Sequence, residues 1–217
     1  MNAPFATDEN RDAAVMPLLA DDKRDALQEI VNIGMGTAGA ALSSALESLV
    51  GLSVPKIDLV RLDRFSDLPR LVGWSDPNAC AIRQAFYDGI DGEVVVLFGH
   101  ESRALLSEKL GYGEDVSDTC EAELLLDFTN VFVGACMNGI ARQLGIPLRY
   151  SAPSILSLNA PLDSALEQLE VSVDSLLLVN VDFALEDCSF RSQLVILFPS
   201  ASTLRLKEAV AQFVAAL

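Results

Sequence analysis

The sequence predicts an α/β fold of the α+β kind, in which two copies of a helix-strand-loop-strand-strand-helix unit are related by a pseudo-twofold axis and share one central sheet. Three observations predict it. The polar residues Asp25, Glu29, Asn32 and the distant Pro55 recur as Glu123, Asp127, Asn130 and Pro153, each shifted by 98 residues, with Gly36 matched by Gly134. The runs EVVVLF (93–98) and QLVILF (193–198) align at nearly the same shift, and their VVVLF and LVILF are apolar on both faces, as the central strands of a sheet must be. Each copy opens with a long stretch of helical period, and duplicated units of this size bury most apolar surface by pairing.

Taken in order, residues 1–20 mix Asn, Ala, Pro, Asp and Thr without a period and read as a flexible N-terminal tail. Residues 21–217 read as one domain of two repeats, about 21–112 and 118–217. Asp22 to Val50 reads as a helix whose apolar face carries Leu27, Val31, Gly34, Ala38, Leu42, Ala45 and Leu49, ended by Gly51. Small residues from Gly34 to Ala41 permit close backbone approach. Leu52 to Leu62 reads as a strand entered across Pro55, and Arg64 to Asp76 as loop. Ala79 to Tyr87 and Glu93 to Phe98 are strands joined by DGIDG, a turn in which Gly would supply positive φ. Ser102 to Leu110 is a short helix, and GYGEDVSD separates the halves.

The second half repeats this order. Thr119 to Leu144 is the long helix, Pro147 to Leu158 a strand, Asp163 to Leu169 a helical connection, Ser175 to Leu185 and Gln193 to Phe198 strands, and Ala201 to Leu217 the closing helix.

Composition bounds the chemistry. The 217 residues are 51% hydrophobic, ample for a core, and carry a net charge of −16 from 31 acidic and 15 basic residues. That charge disfavours nucleic acid and anionic membrane as partners, because neither gains by meeting a surface of its own sign. Met1 to Asp22 lacks a basic start followed by an apolar run, and no stretch reads as a membrane span, so the expectation is a cytoplasmic protein. Cys80, Cys120, Cys136 and Cys188 show no CxxC pairing and His100 is the one histidine, so the expectation is reduced, idle thiols and no metal site. The chain has no GxxxxGK[ST], GxSxG or HExxH, and Gly34-Met35-Gly36 lies inside a helical period, so it is no dinucleotide loop.

The polar stripes are what remains. Asp25, Glu29 and Asn32 at i, i+4 and i+7 fall on one narrow face, opposite the apolar one. Asn32 carries a donor and an acceptor on one short arm, so a helix docked on another protein's site could hold a water in line with a phosphorus atom, as a glutamine does in GTPases. Glu29, one turn away, could accept from a partner's lysine, and Asp25 extends the acidic edge for docking.

These residues resemble the motif of the CheC/CheX/FliY group of chemotaxis phosphatases: Asp or Ser, three residues, Glu, two residues, Asn, 22 residues, Pro. Asp25, Glu29, Asn32 and Pro55 match it throughout, and the two-copy layout is similar to CheC. The resemblance implies hydrolysis of the aspartyl phosphate of a CheY-type response regulator, with Glu29 engaging the regulator's lysine and Asn32 orienting the attacking water. It implies no cofactor of the chain's own, magnesium in the regulator's site, and a CheD-like deamidase as a further partner. In the second copy Glu123 replaces the Asp or Ser and Asp127 the Glu, one methylene shorter, so Asp127 and Asn130 are expected to form a weaker site. The alternatives are a non-catalytic adaptor that binds a phosphorylated regulator or a CheD-like partner, and a structural subunit whose stripes are plain surface.

Overall fold

The structure is a computed structural model that describes residues 21–60, 67–76, 78–99, 101–110, 118–169, 176–186 and 188–215. The expected tail (1–20), most of the expected break between halves (111–117) and His100 lie outside the described residues. The chain runs α1 (Asp21–Ala45), β1 (Val50–Leu52), β2 (Lys56–Val60), α2 (Leu68–Val72), β3 (Asn78–Asp88), β4 (Gly92–Phe98), α3 (Ser102–Lys109), α4 (Asp118–Leu144), β5 (Leu148–Tyr150), β6 (Ser154–Pro161), α5 (Leu162–Leu166), β7 (Leu176–Leu185), β8 (Arg191–Pro199) and α6 (Ser200–Ala215).

The eight strands form one sheet in the order β1-β7-β8-β4-β3-β5, with β2 also on β7 and β6 also on β3. Every pairing is antiparallel. Exchanging the first four strands with the last four returns the same order reversed, which is the topology of a pseudo-twofold. The axis passes between β4 and β8, where Val95 pairs with Val195, its own counterpart. Each half lends its first two strands to the other half's sheet, β1 and β2 to β7, and β5 and β6 to β3, so neither half closes its sheet alone. As expected from their two-faced apolarity, β4 and β8 are central, and Val94 to Phe98 and Leu194 to Phe198 are buried.

One face of the sheet carries the main core. Ile82, Phe86, Val94, Val96 and Phe98 pack there with Val179, Val181, Phe183, Leu194 and Ile196 against α1, α4 and residues of α3 and α6. The other face holds Ala79, Ala81, Val95, Leu97, Leu176, Leu178, Val195 and Leu197 beneath α2 and α5. Phe128 and Phe132 fasten α4 to the sheet: Phe128 meets Phe98 edge-on at 6.0 Å between centroids and Phe132 meets Phe183 at 4.9 Å. They flank Asn130 by two residues on either side, so burying them turns Asn130 outward.

α1 and α4 cross where glycine meets glycine. A Cβ on Gly34 would stand 2.7 Å from the Ile140 nitrogen, and one on Gly139 would stand 2.5 Å from the Gly34 oxygen. The close approach expected of the small-residue run is therefore localised at Gly34. Cys120–Leu144 within α4 is long and apolar enough to cross a membrane, but 61% of its apolar window is buried against the rest of the protein, as a core helix is.

Several local expectations are corrected. α1 ends at Ala45, five residues before Val50, where Glu47 takes φ of 49°. Gly51 then belongs to β1, and Leu49, assigned to the apolar face, is 67% exposed. The strands expected at 52–62 and 147–158 are each broken, because Pro55 and Pro153 lack the N–H a continuous ladder needs. The segment 64–76, expected to be loop, contains α2, started by Pro69 in its first turn and stopped by Gly73 at φ 73°. In the DGIDG turn Asp88, at φ 99°, takes the positive angle. Gly92 is instead required by crowding, since a Cβ there would stand 2.5 Å from the Leu197 oxygen.

The cysteines make no disulfide. Cys80 and Cys136 are buried, and burial pushes the Cys80 thiol up to about 12 and raises that of Cys136 as well. Cys120 is exposed and Cys188 partly so. At pH 8, Cys80 should therefore hold about a thousandfold less thiolate than an ordinary cysteine. Labelling with a thiol-specific reagent should modify Cys120 and Cys188 in the native protein, and Cys80 and Cys136 only after unfolding. Rapid modification of all four without denaturant would contradict this packing.

Candidate functional site

The helical period of α1 buries Leu27, Ile30, Val31, Met35 and Ala38 and so leaves Asp25, Glu29, Asn32 and Gly36 exposed along one stripe. On α4 the buried set Leu124, Leu125, Phe128, Phe132 and Val133 exposes Glu123, Asp127 and Asn130, with Gly134 half-buried beside them. None of the four carboxylates makes an ion pair with a described residue. Each stripe is thus an uncompensated acidic edge ending in a carboxamide, which suits a basic visitor. Glu29 and Asn32, three residues apart, are surface neighbours roughly 5–6 Å apart at Cβ, as are Asp127 and Asn130.

Gly36 and Gly134 differ from the crossing glycines. A Cβ at either position would meet nothing within 4 Å. The protein's own packing therefore does not require them, although glycine costs a helix interior roughly 1 kcal/mol relative to alanine. Pro55 is buried and Pro153 half-buried in the breaks that follow β1 and β5. Those breaks are pinned alike. The Asp182 amide donates to Ser53 Oγ at 2.9 Å, and the Ala85 amide to Ser151 Oγ at 3.1 Å. In return, the Ser53 and Ser151 amides donate to the Asp182 and Ala85 carbonyls, both at 3.0 Å.

The two stripes differ in what lies beneath them. Gln84, on β3 and 1% exposed, donates through Nε2 to Asn130 Oδ1 at 2.9 Å and to the Ser151 carbonyl at 2.8 Å. Asn32 makes no hydrogen bond with a described residue. The ladders explain the difference. Gln84 pairs with Val94 on β4, and Val181 pairs with the matching Leu194 on β8, so the place of Gln84 is taken in the other half by apolar Val181.

Sequence reasoning missed Gln84, Ser53, Ser151, and the exposed apolar pair Ile33 and Val131, which directly follow the two asparagines and are 38% and 60% exposed. Ser53 and Ser151 repeat at the 98-residue shift and were findable by it. Gln84 was not, because its counterpart has changed to valine.

No family model matches the chain. Among solved structures it is similar to FliY of Thermotoga maritima, at 16% identity and a TM-score of 0.66, over 90% of this chain and 98% of that one. It is similar to the FliM middle domain of H. pylori, at 13% identity and a TM-score of 0.60, over 88% and 99%. It is also similar to the chemotaxis protein CheX of Desulfovibrio desulfuricans, at 12% identity and a TM-score of 0.51, over 78% and 99%. The chain has the fold of these proteins, and FliY and CheX belong to the group whose motif the two stripes resemble.

Proposed function

We propose that this protein is a phosphatase that hydrolyses the aspartyl phosphate of a CheY-type response regulator in the cytoplasm. The observation that carries the reading is the pairing of an exposed carboxamide, Asn32, with an exposed carboxylate one turn away, Glu29, neither bonded to a described side chain, on a helix packed into the core through Leu27, Ile30 and Met35. Phosphoryl transfer asks for positioning and charge compensation more than for covalent chemistry, and a docked helix supplies positioning.

In this reading Glu29 accepts from the regulator's lysine and fixes the angle of approach. Asn32 holds a water in line with phosphorus through its oxygen, leaving a lone pair of the water free to attack. The new O–P bond forms as the bond from phosphorus to the aspartyl oxygen breaks, so the regulator regains its carboxylate and inorganic phosphate leaves. Magnesium belongs to the regulator's site. Ile33 and Val131 give each stripe an apolar contact for the visitor, and Gly36 and Gly134 leave room for its backbone. A CheD-like deamidase is a further partner through the resemblance alone.

The test is phosphate release from a receiver domain phosphorylated with acetyl phosphate. Wild-type protein should accelerate it, and an Asn32→Ala, Asn130→Ala double variant should return it to the rate of the regulator alone. Equal acceleration by both proteins would remove the catalytic reading. The likeness to the FliM middle domain favours a second reading, an adaptor that binds the phosphorylated regulator. Phosphate-dependent binding with unchanged dephosphorylation would support that reading instead.

A further inference from the structure

The orientation of the Asn130 amide follows from one contact. The Ser151 carbonyl can only accept, so the Gln84 atom 2.8 Å from it must be the donor Nε2. The same nitrogen lies 2.9 Å from the side-chain amide of Asn130, so the atom of Asn130 that faces it must be the acceptor Oδ1. Asn130 therefore turns its oxygen inward and its Nδ2 outward. Gln84 is buried, and its own Oε1 has no hydrogen-bond partner among the described residues, so the bond to Asn130 is one of the two contacts that satisfy this side chain. Accepting a hydrogen bond at Oδ1 also polarises the amide and strengthens Nδ2 as a donor.

We infer that Gln84 is a positioning residue that locks Asn130 with its donor outward, so that the second stripe holds the phosphoryl oxygens of a phosphorylated regulator instead of orienting water for their release. The inference rests on the function proposed above. A water oriented for attack donates a hydrogen bond to the amide oxygen, and the oxygen of Asn130 already accepts from Gln84 and is turned away from a visitor. Its outward N–H groups match a phosphoryl group's acceptor oxygens, and holding them fixed beforehand lowers the entropy lost on binding. At the first stripe, Val181 offers no such lock, and neither group of Asn32 is bonded to a described residue. The stripes thus divide the work, the second retaining the regulator and the first turning it over.

The experiment exchanges the lock between the halves. In an Asn32→Ala background, Gln84→Val should raise phosphate release from the acetyl-phosphate-labelled receiver domain about tenfold, and weaken binding of the same domain loaded with beryllofluoride several-fold. In an Asn130→Ala background, Val181→Gln should lower release about tenfold. A purely structural role for Gln84 predicts loss of release in the first case, and that loss, or no change in both backgrounds, would overturn the inference. Wild-type protein supplies an independent readout if a variant fails to fold. The side-chain amide of Asn130 should be rigid in nuclear spin relaxation while that of Asn32 is mobile, and equal mobility of the two would overturn the lock directly. A rigid Asn130 amide together with no phosphate release by wild type would sustain the lock and sink the phosphatase reading.

Discussion

Asn32→Ala alone should lower the catalysed part of phosphate release about 10²-fold, close to 2.7 kcal/mol of barrier, while Asn130→Ala should change it by less than about threefold. The two asparagines are matched by the 98-residue shift and both are exposed on long helices, so taken by themselves they would predict equal effects. One difference in sequence and one in structure break the equality. Asp127 is a methylene shorter than Glu29, which withdraws its carboxylate from a lysine met at the same helix position. Asn130 has its oxygen tied to Gln84, and Asn32 does not. The kinetic constants separate the roles as well. Asn32→Ala should lower kcat with KM nearly unchanged, and Glu29→Ala should chiefly raise KM, because a docking contact formed before the transition state contributes uniformly. Steady-state release measured over a range of phosphorylated receiver concentrations checks both. Equal losses from Asn32→Ala and Asn130→Ala would show that the stripes are equivalent and that the differences beneath them have no kinetic consequence.

The stripes and the duplicated sheet were legible because both are written in periods, 3.6 residues for the helix faces and two-faced apolarity for β4 and β8. Periodicity reports which side of an element is buried, and the burial of Leu27, Ile30 and Val31 against the exposure of Glu29 and Asn32 follows from it. What stayed hidden is what lies across the sheet from each residue. The exchange of β1 and β2 into the second half's ladder leaves no mark in local pattern, since either half could in principle have paired its own strands. The break at Pro55 and the helix at 68–72 were missed because a short element bounded by proline and glycine has too few residues to show a period. Gln84 was illegible for another reason. A polar residue in an apolar strand reads as an edge or a solvent face, and only the fold brings Asn130 and Ser151 within reach to satisfy it.

Gly34→Val should destabilise the protein by about 3 kcal/mol, lowering the melting temperature by roughly 6–12 °C for a domain of this size. A first side-chain carbon at Gly34 would stand 2.7 Å from the Ile140 nitrogen and 2.9 Å from the Gly139 carbonyl carbon, and these are backbone atoms of α4 that cannot rotate aside. The two helices would have to separate. α4 is held down by Phe128 against Phe98 and by Phe132 against Phe183, and α1 by Leu27, Ile30 and Met35, all nearly fully buried, so separation opens voids on the sheet at the same time. The expected loss combines crowding at the crossing with weakened packing beside it. Gly36→Ala, two residues along the same helix, is the control: its new methyl meets nothing within 4 Å, and the better helix propensity should stabilise by up to about 1 kcal/mol. Urea unfolding of the two variants against wild type measures both. Because Asn32 and Asn130 are displayed by the helices that meet at this crossing, Gly34→Val should also impair regulator binding at temperatures where it is still folded, whereas Gly36→Ala should alter binding without loss of stability. Gly34→Val as stable as wild type would mean that α1 and α4 do not touch at Gly34 and Gly139.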